Sequence, residues 1–204
     1  MSKQGSDGGI RRAVSAYFRA AGSLQGKTVV DVPAGTGYTS RLLAGLGARV
    51  EALDLFPGEF SAPGVTCRKA DLQKPLPLPD ACADYVVCQE GLEHLPDQLL
   101  PVREFARLLK PGGRLLITTP SVSNVRARLA RLLLESELIG RLPAAPSRAV
   151  RVTEGGDFYF GHVFLVGIQQ LRILADVAGL RVSRVLPAGI SPGSIAPGIL
   201  LYPA

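Results

Sequence analysis

Short runs of β-branched and apolar residues alternate with stretches of helical periodicity from residue 28 to residue 119. Runs of this length and composition are typical of strands that are buried on both faces of a parallel sheet. The strands predicted in this way are Thr28–Val32, Arg49–Leu53, Val65–Lys69, Ala83–Cys88 and Arg114–Thr119. Between them, apolar residues at helical spacing predict a helix that stops at Gly47 and a second helix over Asp97–Leu109. The alternation of strand and helix predicts an α/β fold.

The pattern on either side of this region is less regular. Residues 1–10 are polar and glycine-rich and are predicted to be disordered, whereas Arg11–Ala21 has apolar residues at helical spacing. Near the other end, a helix is predicted over Gly167–Ala178 and a strand over Leu180–Leu186. Ser191–Ala204 fits either a last edge strand or an apolar tail.

A glycine-rich turn separates the first predicted strand from its helix. Its sequence runs Asp31-Val-Pro33-Ala34-Gly35-Thr-Gly37. Glycine lets the backbone approach a ligand closely, because a Cβ atom would occupy the space that the ligand needs. The strand, the turn and the helix therefore predict the first half of a nucleotide-binding βαβ unit.

Two residues argue against a dinucleotide in this unit. The dinucleotide fingerprint is Gly-x-Gly-x-x-Gly, and Ser40 stands at the third glycine position. The Asp31 carboxylate would repel phosphates, but it would attract a cationic group such as the ammonium of an amino acid. The pattern favours a ligand with an ammonium group over a nicotinamide dinucleotide.

The second predicted strand ends in an acidic residue. Asp54 lies 23 positions after Asp31, and an acid at roughly this separation accepts hydrogen bonds from ribose hydroxyls in nucleotide-binding units. A carboxylate can accept two such bonds at once. We therefore predict that Asp54 and the adjoining Leu55 contact a bound nucleoside; the alternative is a solvated turn residue.

Composition narrows the class of protein without identifying its partner. A chain of 204 residues fits one domain, here over residues 11–204. A net charge of +6 permits an anionic partner, but no motif favours nucleic acid. Three cysteines without zinc spacing favour a reducing, cytoplasmic location. No apolar run approaches the roughly 18 residues that span a bilayer.

Two later motifs are more specific than the glycine turn. Residues 84–97 read Asp-x-Val-x-x-x-x-x-Leu-Glu-His-Leu-x-Asp, and residues 108–117 read Leu-Leu-Lys-Pro-Gly-Gly-Arg-Leu-Leu-Ile. The three motifs, in this order and at these separations, resemble the class I S-adenosylmethionine-dependent methyltransferases, in particular the ubiquinone/menaquinone-biosynthesis-like branch. The resemblance covers residues 25–120. It implies a Rossmann-like, doubly wound, mostly parallel seven-stranded sheet with helices on both faces.

The same resemblance implies S-adenosylmethionine as cofactor and S-adenosylhomocysteine as its product. It implies that Asp71 meets the adenine amine, that Leu72 flanks the adenine ring, and that Gln89 lies near the methionine moiety or the acceptor. Pro33 and Ala34 stand where the family more often has glycine and cysteine, so the loop of this chain departs from the usual pattern.

Both histidines of the chain are candidates for the reacting end of the site. His94 follows the fourth predicted strand, and His162 follows the aromatic run Phe158–Phe160. Imidazole titrates near neutral pH, so either side chain could take a proton from an acceptor or bind it. A structural role at the start of the next helix is the alternative for His94. Methyl transfer is an in-line displacement that needs no metal, and none is predicted.

A basic insertion follows the fifth predicted strand, at about residues 121–156. Part of it, Asn124–Ile139, has helical periodicity, and it carries six arginines up to Arg151. An insertion at this point lies at the carboxyl edge of the sheet, where open α/β sheets bind ligands. We predict a lid over the acceptor; contact with an anionic membrane surface and an ordinary solvated cover are the alternatives.

The sequence thus leaves three functions to compare. The first is a methyltransferase that acts on a small-molecule, lipid or glycan acceptor. The second is a non-catalytic module of the same fold that binds S-adenosylmethionine or a protein partner. The third, a nicotinamide-dependent oxidoreductase, is disfavoured by Ser40 and Asp31. Neither the acceptor nor the oligomeric state is specified by the sequence.

Overall fold

The structure, a computed structural model, describes residues 4–120, 132, 150–152, 158–161, 163–191 and 194–203. The described helices are α1 (Gln4–Ala21), α2 (Tyr38–Gly45), α3 (Leu99–Leu108) and α4 (Ile168–Val177). The described strands are β1 (Thr28–Asp31), β2 (Arg49–Asp54), β3 (Cys67–Lys69), β4 (Ala83–Gln89), β5 (Leu109–Thr118), β6 (Val150–Val152), β7 (Phe158–Phe160), β8 (Leu180–Ser191) and β9 (Ser194–Pro203). Short 3-10 turns cover Pro57–Glu59 and Leu92–His94.

Seven of the described strands form one sheet in the order β3-β2-β1-β4-β5-β9-β8. The first five are parallel to one another, and β9 runs antiparallel between β5 and β8. The strand order reverses between β1 and β4, which makes their carboxyl ends the switch point where open α/β sheets bind ligands. The predicted doubly wound, mostly parallel α/β fold is confirmed.

Two apolar clusters cover the two faces of this sheet. Neighbouring residues of one strand point to opposite faces, so Val29 joins the cluster of α1 and α2 while Val30 joins that of α3 and α4. Phe18 of α1 and Phe105 of α3 are both fully buried. Helices on both faces explain why β1 reads as a continuous apolar run.

The first helix and the last strand differ from the sequence prediction. Helix α1 begins at Gln4, so residues 4–10, predicted as disordered, are helical. Lengthening an existing helix adds one hydrogen bond for each residue fixed, which lets polar residues continue a helix whose apolar face is already buried. The last strand, β9, lies inside the sheet and not at its edge, because it pairs with both β5 and β8.

The predicted lid at residues 121–156 lies almost wholly outside the described residues, and so does its proposed helix. Its described residues are Leu132 and those of β6, and β6 pairs antiparallel with β7. No described helix combines the length and apolar content that a membrane crossing requires.

A half-exposed network at the amino end of β1 joins three strands. Asp84 of β4 accepts hydrogen bonds from the Thr28 backbone N–H at 2.9 Å, from Lys27 Nζ at 3.2 Å and from Lys110 Nζ at 2.6 Å. Partial burial raises the pKa of Asp84, but the hydrogen bonds from Lys110, Thr28 and Lys27 outweigh it and lower the pKa to about 2. The ionised carboxylate therefore stabilises the folded chain.

We expect Asp84→Asn to lower the free energy of unfolding by about 1 kcal/mol at pH 7, after allowing for solvent screening of both lysines. Because the folded-state pKa lies below the ordinary value of 3.8, this contribution is complete above about pH 4 and is lost as pH falls toward 2. Urea denaturation of both proteins from pH 2 to pH 7 measures it. A difference between the two proteins that does not change with pH would contradict the assignment.

Candidate functional site

A buried carboxylate lies at the carboxyl end of β1. Asp31 is 1% exposed, and its Oδ2 accepts a hydrogen bond of 2.6 Å from the Ser40 hydroxyl in the first turn of α2. Among the residues that the structure describes, Asp31 Oδ1 has no hydrogen-bond partner. Burial raises the pKa of Asp31 to about 7; the charge of Asp54 adds to this, and the Ser40 hydrogen bonds oppose it. A positive group beside Oδ1 would restore the ionised form.

Glycine stands at two positions of the turn after β1 for two different physical reasons. Gly35 has φ +52°, and a Cβ atom on it would meet nothing within 4 Å, so its backbone is open on that side. Gly37 has φ +84°, and a Cβ atom there would lie 2.9 Å from both the Ala62 Cβ and the Phe60 ring. Gly37 is required by packing, whereas Gly35 leaves the turn accessible.

Asp54 binds the backbone of the glycine turn. Its Oδ2 accepts a 2.7 Å hydrogen bond from the Gly35 N–H, and its Oδ1 accepts a 2.8 Å bond from the Phe56 N–H. The side chain is 7% exposed. Each carboxylate oxygen has two lone pairs, so acceptor capacity remains for a ligand hydroxyl. The sequence prediction had not included this role in holding the turn.

The end of β3 joins the same edge of the sheet. The Ala70 N–H donates to the Asp54 carbonyl at 2.9 Å, which places the following Asp71 and Leu72 beside β2. Asp71 Oδ1 accepts from the Gln73 N–H at 2.9 Å, and Leu72 is 8% exposed. An acid next to a buried leucine is suited to bind a single ring, with the carboxylate at the polar edge of the ring and the leucine against its apolar face.

The end of β4 contacts both sides of the glycine turn. Gln89 Oε1 accepts a 2.9 Å hydrogen bond from the Thr39 hydroxyl of α2. At Gly91, a Cβ atom would lie only 2.6 Å from Pro33 Cδ, so the loop after β4 packs directly on the turn. Pro33, which departs from the usual pattern of the family that the sequence resembles, is therefore accommodated by a glycine in the loop after β4.

His94 lies in the 3-10 turn that follows β4. Its Nδ1 is 2.6 Å from the carbonyl oxygen of Phe160, the last residue of β7. A carbonyl oxygen can only accept, so Nδ1 carries the hydrogen and, in the neutral ring, Nε2 carries the lone pair. The other candidate, His162, lies outside the described residues.

The residue before His94 is a buried acid. Glu93 is fully buried and accepts a 3.3 Å hydrogen bond from the hydroxyl of Thr119, the residue after β5. Burial raises the pKa of Glu93 well above its ordinary value, and the neighbouring Glu90 adds to the rise. Within the described part of the chain, no group of three or more His, Cys, Asp or Glu side chains is arranged to hold a metal ion.

The predicted site residues that the structure describes lie along the carboxyl edge of β1, β2, β3 and β4. Sequence reasoning missed Ser40, which it treated only as an absent glycine. It also missed Thr39, which links α2 to β4. A hydroxyl in the first turn of the helix after an acidic strand end was the available signal for Ser40.

Residues 30–117 match the methyltransferase domain family. The ubiquinone biosynthesis O-methyltransferase of Xanthomonas oryzae pv. oryzae (strain PXO99A) is 36% identical over 135 residues, which cover 62% of this chain and 56% of that protein. A probable S-adenosylmethionine-dependent methyltransferase of Mycolicibacterium smegmatis is 38% identical over 117 residues, or 55% of this chain and 45% of that protein. The chain thus spans about half the length of these curated relatives.

The fold has a close match among solved structures. Magnesium protoporphyrin IX methyltransferase from Synechocystis PCC 6803, solved with bound SAH, superposes with a TM-score of 0.69 at 19% identity. The match covers 96% of this chain and 84% of that chain. At this identity the likeness concerns the fold alone.

We expect Gly37→Ala to destabilise the protein by about 2–4 kcal/mol, because it adds a steric overlap to the strain of a left-handed backbone. Gly26→Ala is the matched control, since Gly26 has φ +74° and a Cβ atom there would meet nothing within 4 Å. The control should lose only about 1–2 kcal/mol from backbone strain. Urea denaturation compares them, and equal losses would refute the packing explanation.

Proposed function

We propose that this chain, which over residues 30–117 belongs to the methyltransferase domain family, transfers a methyl group from S-adenosylmethionine to a small-molecule acceptor. The resemblance of its motifs to class I S-adenosylmethionine-dependent methyltransferases agrees with that membership. A nicotinamide-dependent oxidoreductase has no support from the family match.

The observation that carries the proposal is the buried Asp31 carboxylate with an Oδ1 atom that no described residue hydrogen-bonds. It lies beside the accessible Gly35 backbone, at the switch point of the sheet. An ammonium group, such as that of the methionine moiety, fits this atom in charge and in hydrogen-bonding capacity. When bound, S-adenosylmethionine supplies an electrophilic methyl group on a sulfonium sulfur.

The remaining contacts to the cofactor follow from the order of the strands. The wall beside the methionine moiety of the cofactor would be formed by Pro33, Ala34, Gly35 and Gly37. Asp54 would accept from the ribose hydroxyls while it holds the turn, with Leu55 next to it. Asp71 and Leu72 would contact the adenine, and Gln89 would lie toward the reacting end. These assignments use the carboxyl ends of four of the five parallel strands, β1, β2, β3 and β4.

His94 is the proposed proton acceptor. The Phe160 carbonyl fixes the hydrogen on Nδ1, which leaves Nε2 as the basic atom of the neutral ring. His94 would then take a proton from a hydroxyl or amine nucleophile as the methyl group is transferred. His162 stays a second candidate on the strength of its position in the sequence.

The acceptor class rests on the relatives. Names such as ubiquinone biosynthesis O-methyltransferase support a small molecule ahead of a lipid or glycan. The free thiols of Cys67, Cys82 and Cys88 agree with a cytoplasmic location, which stays a prediction. Contact with a membrane surface also stays a prediction.

Calorimetric titration with S-adenosylmethionine, S-adenosylhomocysteine and NAD tests the cofactor. We expect saturable binding of the two adenosyl ligands and none of NAD. No adenosyl binding would overturn the proposal. Binding without turnover over a broad set of small hydroxylated and amine acceptors would favour a non-catalytic binding module.

We expect Asp54→Ala to weaken S-adenosylhomocysteine binding by about 1–3 kcal/mol, because it removes the ribose acceptor and releases the Gly35 N–H. Glu59→Ala is the control, since Glu59 is an exposed acid shortly after the same strand. Calorimetry should find the control unchanged. An Asp54→Ala protein with the affinity of the original chain would remove Asp54 from the site.

Binding of S-adenosylhomocysteine should also depend on pH through Asp31. The ammonium group binds the ionised carboxylate, and the pKa of Asp31 without ligand is about 7, so affinity should fall as pH drops below 7. Between pH 8 and pH 6 the expected loss is about tenfold. Asp31→Asn should bind weakly at both pH values and show none of this dependence. The same pH dependence in the variant would exclude Asp31 as its source.

A further inference from the structure

Gln98 is a buried polar residue outside the predicted cofactor contacts. It precedes α3, yet Asp97 supplies the capping bonds, with Asp97 Oδ1 accepting from the Leu99 and Leu100 N–H groups at 2.9 and 3.1 Å. The Gln98 side chain is only 6% exposed. Burying an amide is costly unless its hydrogen bonds are made, so its partners indicate its role.

The Gln98 amide joins two separate segments of the chain. Its Nε2 donates to the Leu92 carbonyl at 3.0 Å and to the Phe164 carbonyl at 2.6 Å. Leu92 begins the 3-10 turn that contains His94, whereas Phe164 lies 66 positions after Gln98. The Gln98 Oε1 accepts from Gln170 Nε2 of α4 at 3.0 Å. One side chain therefore holds the turn and the later segment at a fixed separation.

Both backbone groups of Phe164 are engaged with this region. Its N–H donates to the Glu93 carbonyl at 3.0 Å, and its carbonyl accepts from Gln98. The Phe164 ring packs edge to face on the Phe160 ring, with centroids 5.1 Å apart and an interplanar angle of 86°. Phe160 in turn offers its carbonyl to His94 Nδ1. The contacts form a continuous path from Gln98 to the imidazole.

We propose that Gln98 is a positioning residue for His94: by holding Phe164, and through it Phe160, against the 3-10 turn, it keeps His94 in the Nδ1–H tautomer. The proposal rests on the proposed function, because that tautomer places the basic lone pair of the neutral ring on Nε2. Two donors on one amide are needed, since Leu92 and Phe164 both present carbonyl oxygens. No other natural side chain of this length is neutral and offers two such donors.

The test is the tautomer of His94, read from the two-bond proton–nitrogen correlations of the imidazole in nitrogen-15-labelled protein. The chain has two histidines, and His162→Asn assigns their signals. Spectra are recorded near pH 8.5, where an ordinary imidazole is neutral. We expect the original chain to show His94 almost entirely as the Nδ1–H form.

Gln98→Met removes both donors at similar volume, and we expect a mixture of both tautomers. Gln170→Met is the matched control, because it removes only the bond to Gln98 Oε1 from an exposed helix position. The control should keep the Nδ1–H form. A folded Gln98→Met protein with the tautomer of the original chain would overturn the proposal, as would a mixture already present in that chain.

Gln98→Asn serves if Gln98→Met does not fold. Asparagine keeps the amide but is one methylene shorter, so it cannot reach both carbonyls, and the same mixture of tautomers is expected. Retention of the Nδ1–H form would overturn the proposal.

Calorimetry with S-adenosylhomocysteine separates the inference about Gln98 from the proposed function of the protein. We expect affinity within about twofold of the original chain in Gln98→Met, because the side chain lies away from the cofactor contacts. If the original chain does not bind S-adenosylhomocysteine, the cofactor assignment is wrong, whereas the spectra still decide the role of Gln98.

Discussion

The site depends on one buried carboxylate, that of Asp31, whose Oδ1 has no hydrogen-bond partner among the described residues. A carboxylate that is 1% exposed loses most of its hydration, at a cost of several kcal/mol. The Ser40 hydroxyl offsets part of this cost through Oδ2 only, and the charge of Asp54 increases it. A fold that was optimised for stability alone would place an apolar residue here. The carboxylate is therefore best explained by a cationic ligand that the proposed cofactor provides.

Asp54, the second acid of the site, has a different role from Asp31. Asp54 has both oxygens engaged with backbone N–H groups, at Gly35 and Phe56, and so fixes the glycine turn to the end of β2. Burial, with a smaller contribution from the charge of Asp54, raises the pKa of Asp31 to about 7 and keeps it partly protonated until a positive group binds. Asp54 thus holds the glycine turn in place, whereas Asp31 is left to bind the positive group of the proposed ligand. This division explains why a pattern with two strand-end acids differs from a site for phosphates.

Most of the sheet, and the positions of the residues proposed to bind the cofactor at its carboxyl edge, could be predicted from the sequence. Buried parallel strands are short apolar runs, and residues that follow such strands meet at one edge, so Asp31, Asp54 and Asp71 are brought together by topology alone. The Asp31–Ser40 bond was missed, because its geometry depends on how α2 starts, and the sequence indicates it only through a hydroxyl in the first turn of that helix. The extension of α1 to Gln4 follows from propagation of a helix that is already formed, which a pattern of polar residues does not indicate. The internal place of β9 depends on pairing with distant strands, and local propensity carries no information on it.

The two halves of the site differ in how far along the chain their contacts reach. The Asp31–Ser40 bond joins residues nine positions apart, and Asp54 reaches Gly35 over 19 positions. On the other side, His94 meets Phe160 over 66 positions and Gln98 meets Gln170 over 72. A half built from local motifs can keep one cofactor while the distant segment changes. The proposed path from Gln98 through Phe164 allows such change, because the hydrogen bonds at both of its ends, to Phe164 and from His94 to Phe160, are made to main-chain carbonyls.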